Sequence, residues 1–216
     1  MAQDLQRPFR LPADAVEVIL VRHGAAVEDG PVTLTAGHAD HALSDLGREQ
    51  AERVADRLAR EAPTSLFVSS LQRTAQTAAP LAGRLGVEPA VVPELREVHL
   101  GEWETDHGFA RRVAQRDPAI RELLKQERWD VAPGAEDPDA FAARVAGGMK
   151  AILAQVPLGS TTAAFTHAGV IAEICRQTTG SRAFAFLGAE NTAITRIVAR
   201  GGRLRLRSFN DTEHLS

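Results

Sequence analysis

Apolar residues recur along this chain in two alternating rhythms. A short aliphatic run, VEVILVR over residues 16–22, is apolar on both faces and ends at a glycine, the pattern of a buried central strand. From Ser44 the segment SDLGREQAERVADRLAREA sets Ala51, Val54, Ala55 and Leu58 at helical spacing, with Ser44 as cap and Pro63 closing the end. Residues 65–71, SLFVSSL, predict a second strand. A helix over 72–86 follows directly, with Ala75, Ala78, Ala82 and Leu85 inward, Gly86 as its stop and Pro80 as a kink or break. A short strand over 90–92 leads into a loop spanning 94–104. The stretch 106–155 is rich in Ala, Arg, Glu and Leu, and Pro133, Gly134 and Pro138 divide it into two helical halves, the second starting at Asp137. TTAAFT over 161–166 is a further strand, 168–179 a helix ended by Gly180. The tail reads as a hairpin across Gly201 and Gly202, with Ile194, Ile197, Leu204 and Leu206 supplying its apolar positions.

Strands alternating with helices predict an α/β fold: a three-layer α/β/α sandwich on a mostly parallel mixed sheet, with an antiparallel C-terminal hairpin. Residues 1–15 read as an irregular lead-in and residues 16–216 as one α/β domain carrying a helical insertion over 106–155. At 216 residues, 44% hydrophobic and 25% charged, the chain can bury one sizeable core, which excludes disorder over most of its length. A formal net charge of -3 provides no positive field for nucleic acid or an anionic membrane, so any anion must be held locally. A single cysteine, Cys175, rules out an internal disulfide framework and a cysteine zinc cluster, and reads as a small buried hydrophobe. The N-terminal MAQDLQRPFRLPADA mixes charges and prolines where a signal peptide needs an apolar stretch, so the expectation is a soluble cytoplasmic protein without a membrane span.

In open α/β sheets the ligand crevice lies beyond the carboxyl ends of the strands. Three expected strand ends carry ionisable groups: Arg22-His23-Gly24, then Ser69-Ser70-Leu71-Gln72-Arg73, then Thr166-His167-Ala168-Gly169. Two arginines and two histidines at one rim are a poor metal site, because guanidinium cannot ligate and repels a cation. They make a good cradle for a tetrahedral phosphate dianion. The helix starts after Leu71 and after His167 add backbone N–H groups and positive dipole ends. A neutral imidazole beside a bound phosphoryl group can attack phosphorus, giving a labile phosphohistidine and a two-step transfer. An alkoxide leaving group needs a proton that a phosphorylated histidine cannot supply, so a carboxylic acid is required nearby. Glu94, Glu97, Glu102 and Glu104 all stand in the 94–104 loop, and the residues alone do not choose among them.

The ordered set VRHG, LSDLGREQA, SSLQRTAQTA, ELREVHLGEWE, FTHAGVI and ENTAITRI resembles the histidine phosphatase superfamily, in the branch of cofactor-dependent phosphoglycerate mutases and their phosphatase relatives. The resemblance covers nearly the whole chain after the lead-in and implies a phosphoglycerate mutase-like fold. It implies that His23 is the phosphorylated nucleophile, that Arg22, Arg73 and His167 bind the phosphoryl oxygens, and that Glu97 is the general acid. Glu94, Glu102 and Glu104 are then solvated loop carboxylates. Gly24, Ala168 and Asn191 join the phosphate or substrate contacts, with the Gly24 carbonyl fixing the His23 tautomer, and Asn191 and Thr192 fit structural support as well as ligand contact. Neither a cofactor nor a metal is called for, because the arginines meet the charge on the equatorial oxygens.

The chain departs from the pattern of that family after RHG, where many members continue E-T-x-x-N and this sequence reads Ala25-Ala26-Val27-Glu28-Asp29. Small alanines widen the pocket, and a carboxylate at Asp29 would repel a dianion unless it points away or pairs with a cation, so Asp29 is not counted among the binding residues. Mutases of the branch carry L-N-E-R-H-Y-G in the acid loop, whereas Val98 and Leu100 stand here in place of the Arg and Tyr that bind phosphoglycerate. That favours a phosphatase. In the acid phosphatase and phytase branch an aspartate follows the second histidine, but here Ala168 does, which leaves Glu97 as donor.

The expected activity is therefore metal-independent hydrolysis of a phosphomonoester through phosphohistidine, on a small phosphorylated metabolite. The alternatives are a phosphoglycerate mutase-type phosphotransferase and a degenerate, non-catalytic domain that binds phosphorylated ligands. His38, Asp40 and His41 in GHADHALS read as a solvated loop rather than a metal site. Trp129 reads as packing, Trp103 as packing or leaving-group contact, and Arg111, Arg112 and Arg116 as a solvated helix face before contacts for a second anionic group on the substrate. Physiological substrate and oligomeric state are not readable from these residues.

Overall fold

The structure, a computed structural model, describes residues 8–27, 33–105 and 108–216. In chain order its elements are β1 (Ala15–Arg22), β2 (Leu34–Thr35), β3 (His38–Ala39), α1 (Asp45–Ala59), β4 (Leu66–Val68), α2 (Gln72–Leu85) and β5 (Ala90–Val91). Then come α3 (Gly108–Ala114), α4 (Pro118–Gln126), α5 (Pro138–Gln155), β6 (Thr161–Thr166), α6 (Ala168–Thr179), β7 (Ile194–Arg200) and β8 (Arg203–Asp211). Six strands form one sheet in the order β5-β4-β6-β1-β7-β8, the first four parallel and the last two antiparallel to their neighbours.

The alternation of β1 builds the layers, because successive side chains of a strand point to opposite faces. Val16, Val18 and Leu20 enter one core with Phe141, Val145, Met149 and Ile152 of α5 and Val170, Ile171 and Ile174 of α6. Ile19 and Val21 enter the other, with Val54, Ala55 and Leu58 of α1 and Ala78 and Leu81 of α2. A strand buried on both faces reads as a nearly unbroken apolar run, as 16–22 does. Ser44 caps α1 by accepting from Gly47 N, Asp137 caps α5 by accepting from Asp139 N and Ala140 N, and Gly86 and Gly180 close α2 and α6 in the left-handed conformation. Cys175 is fully buried, and burial pushes its thiol up to about 12, so it behaves as the expected small hydrophobe.

Several sequence expectations need correction. The second strand stops at Val68, because Ser69 turns its side chain to bond Thr74, His167 and the Leu71 N–H. Helix α1 ends at Ala59, four residues before Pro63, where Ala62 adopts a positive φ of 45°. Helix α2 runs unbroken past Pro80, its packed face outweighing the one ladder bond a proline removes. That face is Arg73, Thr74, Thr77, Ala78 and Leu81. Ala75 is exposed, because the first turn of α2 is oriented by the site rather than by the sheet. The 106–155 stretch holds three helices rather than two, since Asp117 and Pro118 start a new one. Ala15, placed in the lead-in by its sequence, is the first residue of β1.

Candidate active site

The parallel register brings the three strand ends to one level. Arg22 lies opposite Thr166 across β1 and β6, and Val68 opposite Phe165 across β4 and β6, so His23, His167 and Ser69 follow side by side. The His23 N–H donates to the Thr166 carbonyl at 2.9 Å, and the two imidazole rings stand 5.1 Å apart.

His23 is almost buried, and its Nδ1 lies 2.7 Å from the Gly24 carbonyl. A carbonyl only accepts, so Nδ1 carries the proton and Nε2 keeps its lone pair free. Burial, reinforced by the charges of Arg73 and Arg22, holds the ring well below the usual imidazole value, so it is neutral near pH 7. Asn191 Nδ2 donates to the His23 carbonyl at 2.9 Å, and Thr77 Oγ1 accepts the Gly24 N–H at 3.0 Å. These bonds fix the backbone on both sides of the ring. Gly24 is required by contact: a Cβ there would lie 2.5 Å from the Gly47 carbonyl oxygen. Gly47, in the first turn of α1, meets the Ala25 carbonyl in the same way.

Arg22 donates through Nη1 to the Ala189 carbonyl at 2.7 Å, while its buried Nε has no partner. Arg73, 8% exposed, donates through Nη1 to the Ala39 carbonyl at 2.8 Å. Burial pulls both guanidiniums below their ordinary value, and Glu97 pulls them back up. His167 is fully buried; its Nε2 meets Ser69 Oγ at 2.9 Å, and its Nδ1 is without a partner. Burial and then Arg73, His23 and Arg22 hold it well below the usual imidazole range. Two unsatisfied buried nitrogens beside two cations and a free imidazole lone pair form a socket matched to an oxyanion.

Glu97 reaches the same socket. Its Oε1 accepts from Val98 N at 3.0 Å and its Oε2 from Gly169 N at 3.2 Å, in the first turn of α6. Burial raises its carboxyl, opposed by those two N–H bonds and by Arg73 and Arg22. A Cβ on Gly169 would sit 2.5 Å from Oε1, so this glycine is what lets the carboxyl lie against the helix. The loop carrying Glu97 is tied down by Arg144 of α5, which donates to the carbonyls of Glu94, Arg96 and Glu97 at 2.7, 2.9 and 3.3 Å and pairs with Glu136.

The socket opens into a cleft of about 320 Å³ lined by Arg22, His23, Arg73, Glu97 and Asn191 at its base and by Ala25, Ala26, Val98, Leu100, Trp103 and Phe109 among its walls. Ala168 opens α6 directly after His167. Thr192 is buried behind Asn191, its N–H donating to the Arg22 carbonyl at 2.9 Å. Asp29 lies outside the described residues. The α2 start contributes less than expected: the Gln72 N–H is taken by Asp40 Oδ1 at 2.8 Å.

The solvated-loop reading of His38 and Asp40 is overturned. His38 is 4% and Asp40 7% exposed, because Asp40 caps α2 and bonds Thr35 while His38 stacks edge-on against His99. Among the described residues no three His, Cys, Asp or Glu side chains form a metal-holding group. Glu104 is also enclosed rather than solvated, accepting from Ala39 N and Leu100 N at 2.7 and 2.8 Å; Glu94 and Glu102 are exposed. Trp129 packs on Phe184 at 4.6 Å, and Trp103 both packs and lines the cleft, with the Arg112 guanidinium 4.9 Å from its ring centre. Arg112 also pairs with Asp117, while Arg111 and Arg116 are exposed.

Thr77, Gly47 and Arg144 serve the site without a role assigned to them from the sequence, and Ser69 and Gly169 stand in the strand-end runs without a role of their own there. For the two glycines a signal is present: each sits in the first turn of a strongly patterned helix, where a better helix former than glycine is the ordinary choice. No local pattern marks Arg144.

The family model of the histidine phosphatase superfamily (branch 1) matches residues 18–212. A glucosyl-3-phosphoglycerate phosphatase of Mycolicibacterium vanbaalenii is 31% identical over 169 residues, covering 66% of this chain and 74% of that protein. A metal-independent phosphoserine phosphatase of Arabidopsis thaliana is 26% identical over 224 residues, 99% of this chain and 91% of that one. Among solved structures, a mycobacterial glucosyl-3-phosphoglycerate phosphatase in complex with inorganic phosphate superposes with a TM-score of 0.75 at 27% identity, covering 93% of this chain and 99% of that chain.

Proposed function

Because this chain belongs to branch 1 of the histidine phosphatase superfamily, we propose that it is a phosphomonoester hydrolase that works through a phosphohistidine at His23 on a small phosphorylated substrate. The observation that carries the reading is the socket at the strand ends: a neutral His23 with its Nε2 lone pair free, between Arg22 and Arg73, with Arg22 Nε and His167 Nδ1 buried and unpartnered. A phosphoryl group supplies the acceptor that Arg22 Nε lacks, and one for His167 Nδ1 in the tautomer in which Ser69 Oγ donates to His167 Nε2.

In the first step His23 Nε2 donates its lone pair to phosphorus in line with the leaving oxygen, and the P–O bond to the alcohol breaks. Arg22 and Arg73 balance the charge on the equatorial oxygens, so the chemistry needs no metal ion. Glu97, its carboxyl raised by burial, gives its proton to the leaving oxygen. In the second step water attacks phosphorus and passes a proton to Glu97. The P–N bond breaks, phosphate leaves, and both residues return to their starting states. The donation from Nδ1 to the Gly24 carbonyl holds the tautomer throughout.

The named phosphatases among the relatives support hydrolysis as the outcome. Val98 and Leu100 on the cleft wall offer nothing to hold a phosphoglycerate while the phosphoryl group returns to it, which makes mutase chemistry the lesser reading. Turnover of an aryl phosphate in excess chelator by the unmodified protein, lost in His23→Ala, is the expected result. Full activity in that variant would sink the reading.

A further inference from the structure

The walls of the cleft differ in kind from its base. Beyond the phosphoryl socket the lining is mainly Val98, Leu100, Trp103, Phe109 and small alanines. Among the described residues of these walls there is no Lys or Arg, and the imidazoles there are those of His38 and His41. The carboxylate on the wall is Glu104, and both of its oxygens are engaged, Oε1 with Leu100 N and Oε2 with Ala39 N. His38 at the same wall is buried and neutral, pulled down to about 4 first by burial and then by His99 and nearby arginines.

A second phosphate or carboxylate on the substrate would therefore leave water without a lysine or arginine on the described walls to meet it, the Arg112 guanidinium beside Trp103 being paired with Asp117, and would face Glu104. Uncompensated burial of such a charge is costly. An apolar or aromatic group instead covers Leu100, Phe109 and the edge of Trp103, and gains from the area removed from water. We propose that this cleft selects phosphomonoesters of apolar or aromatic alcohols that carry no second anionic group. The inference rests on the reading that His23 takes the phosphoryl group and adds the identity of what is released.

The test compares kcat/KM for three alkyl phosphates whose leaving oxygens are similar: benzyl phosphate (apolar), glycerol 2-phosphate (neutral and polar) and 3-phosphoglycerate (anionic). Benzyl phosphate is expected to exceed 3-phosphoglycerate about 100-fold, from apolar burial and the unpaired carboxylate together. Ala110→Arg places a cation on an exposed helical position of the same wall, and should narrow that ratio at least about tenfold. A 3-phosphoglycerate rate equal to or above the benzyl rate overturns the inference while leaving the phosphatase standing. An unchanged ratio in a folded Ala110→Arg protein also counts against it. No turnover of any of the three, with no acid-labile phosphate on His23, removes the phosphatase reading and this inference with it.

Discussion

Gly169→Ala probes the general acid without touching it. The added Cβ would lie 2.5 Å from Glu97 Oε1, whereas ordinary contact begins near 3.4 Å, so the carboxyl must retreat by about 1 Å. The retreat also strains the 3.2 Å bond from Gly169 N to Oε2. Misplacing a reacting group by this distance costs on the order of 100-fold in rate. The folded state has little reason to suffer, since alanine is a better helix former than glycine, which offsets part of the adjustment of the loop. The assay is kcat/KM, which reports only steps through the first phosphoryl transfer, measured on benzyl phosphate and on 2,4-dinitrophenyl phosphate. The benzyl alkoxide needs the proton of Glu97, and the dinitrophenolate does not. The variant should lose about 100-fold on the first and stay within about threefold on the second. Equal losses on both esters, or none on either, would refute the assignment of Glu97 as the proton donor.

Acid sensitivity follows from the buried imidazoles: His23, His38 and His167 are held low chiefly by burial, so below about pH 6.5 the unfolded chain takes up protons that the folded chain refuses. Stability is full above that pH and falls below it by up to about 1.4 kcal/mol per unit for each ring, while Glu97, raised by burial, opposes with one proton; urea unfolding at pH 7, 6 and 5 should show a net loss of roughly 3 kcal/mol over the last unit, and a flat profile would contradict the burial argument. Gly47→Ala drives a Cβ into the Ala25 carbonyl, backbone against backbone, and should cost about 1–3 kcal/mol in thermal unfolding; a cost under about 0.5 kcal/mol would show the contact to be soft. Arg144→Met unties three carbonyls of the acid loop and leaves the half-enclosed Glu136 unpaired, so a stability loss of about 2–4 kcal/mol is expected in denaturant titration, and a neutral result would contradict the tie.

Much of the frame is legible in the sequence because it is set locally. The strand over 161–166 and the helix over 168–179 appear as read, and Ser44, Asp137, Gly86 and Gly180 punctuate their helices as residue chemistry dictates. The phosphoryl socket is legible for a topological reason: Arg22, His23 and His167 end two strands that turn out to be neighbours, and Arg73 follows the third. What escapes is set by partners far along the chain. His38 and Asp40 look like loop residues until Gln72 and His99 enclose them, and Ala75 looks inward until the site fixes the orientation of α2. Arg144 lies 47 residues from Glu97 in sequence and meets it only through a carbonyl, so no spacing could disclose it. Glu97 stands out from Glu94, Glu102 and Glu104 once Gly169 offers both space and an N–H.

The most direct test of the account is to trap the covalent intermediate. Rapid acid-free quenching of the protein with a 32P-labelled aryl phosphate in excess EDTA, followed by peptide mapping, should place an alkali-stable, acid-labile phosphate on His23 at a rate that keeps pace with turnover. Turnover with no label on His23, or an undiminished rate in His23→Ala, would contradict it.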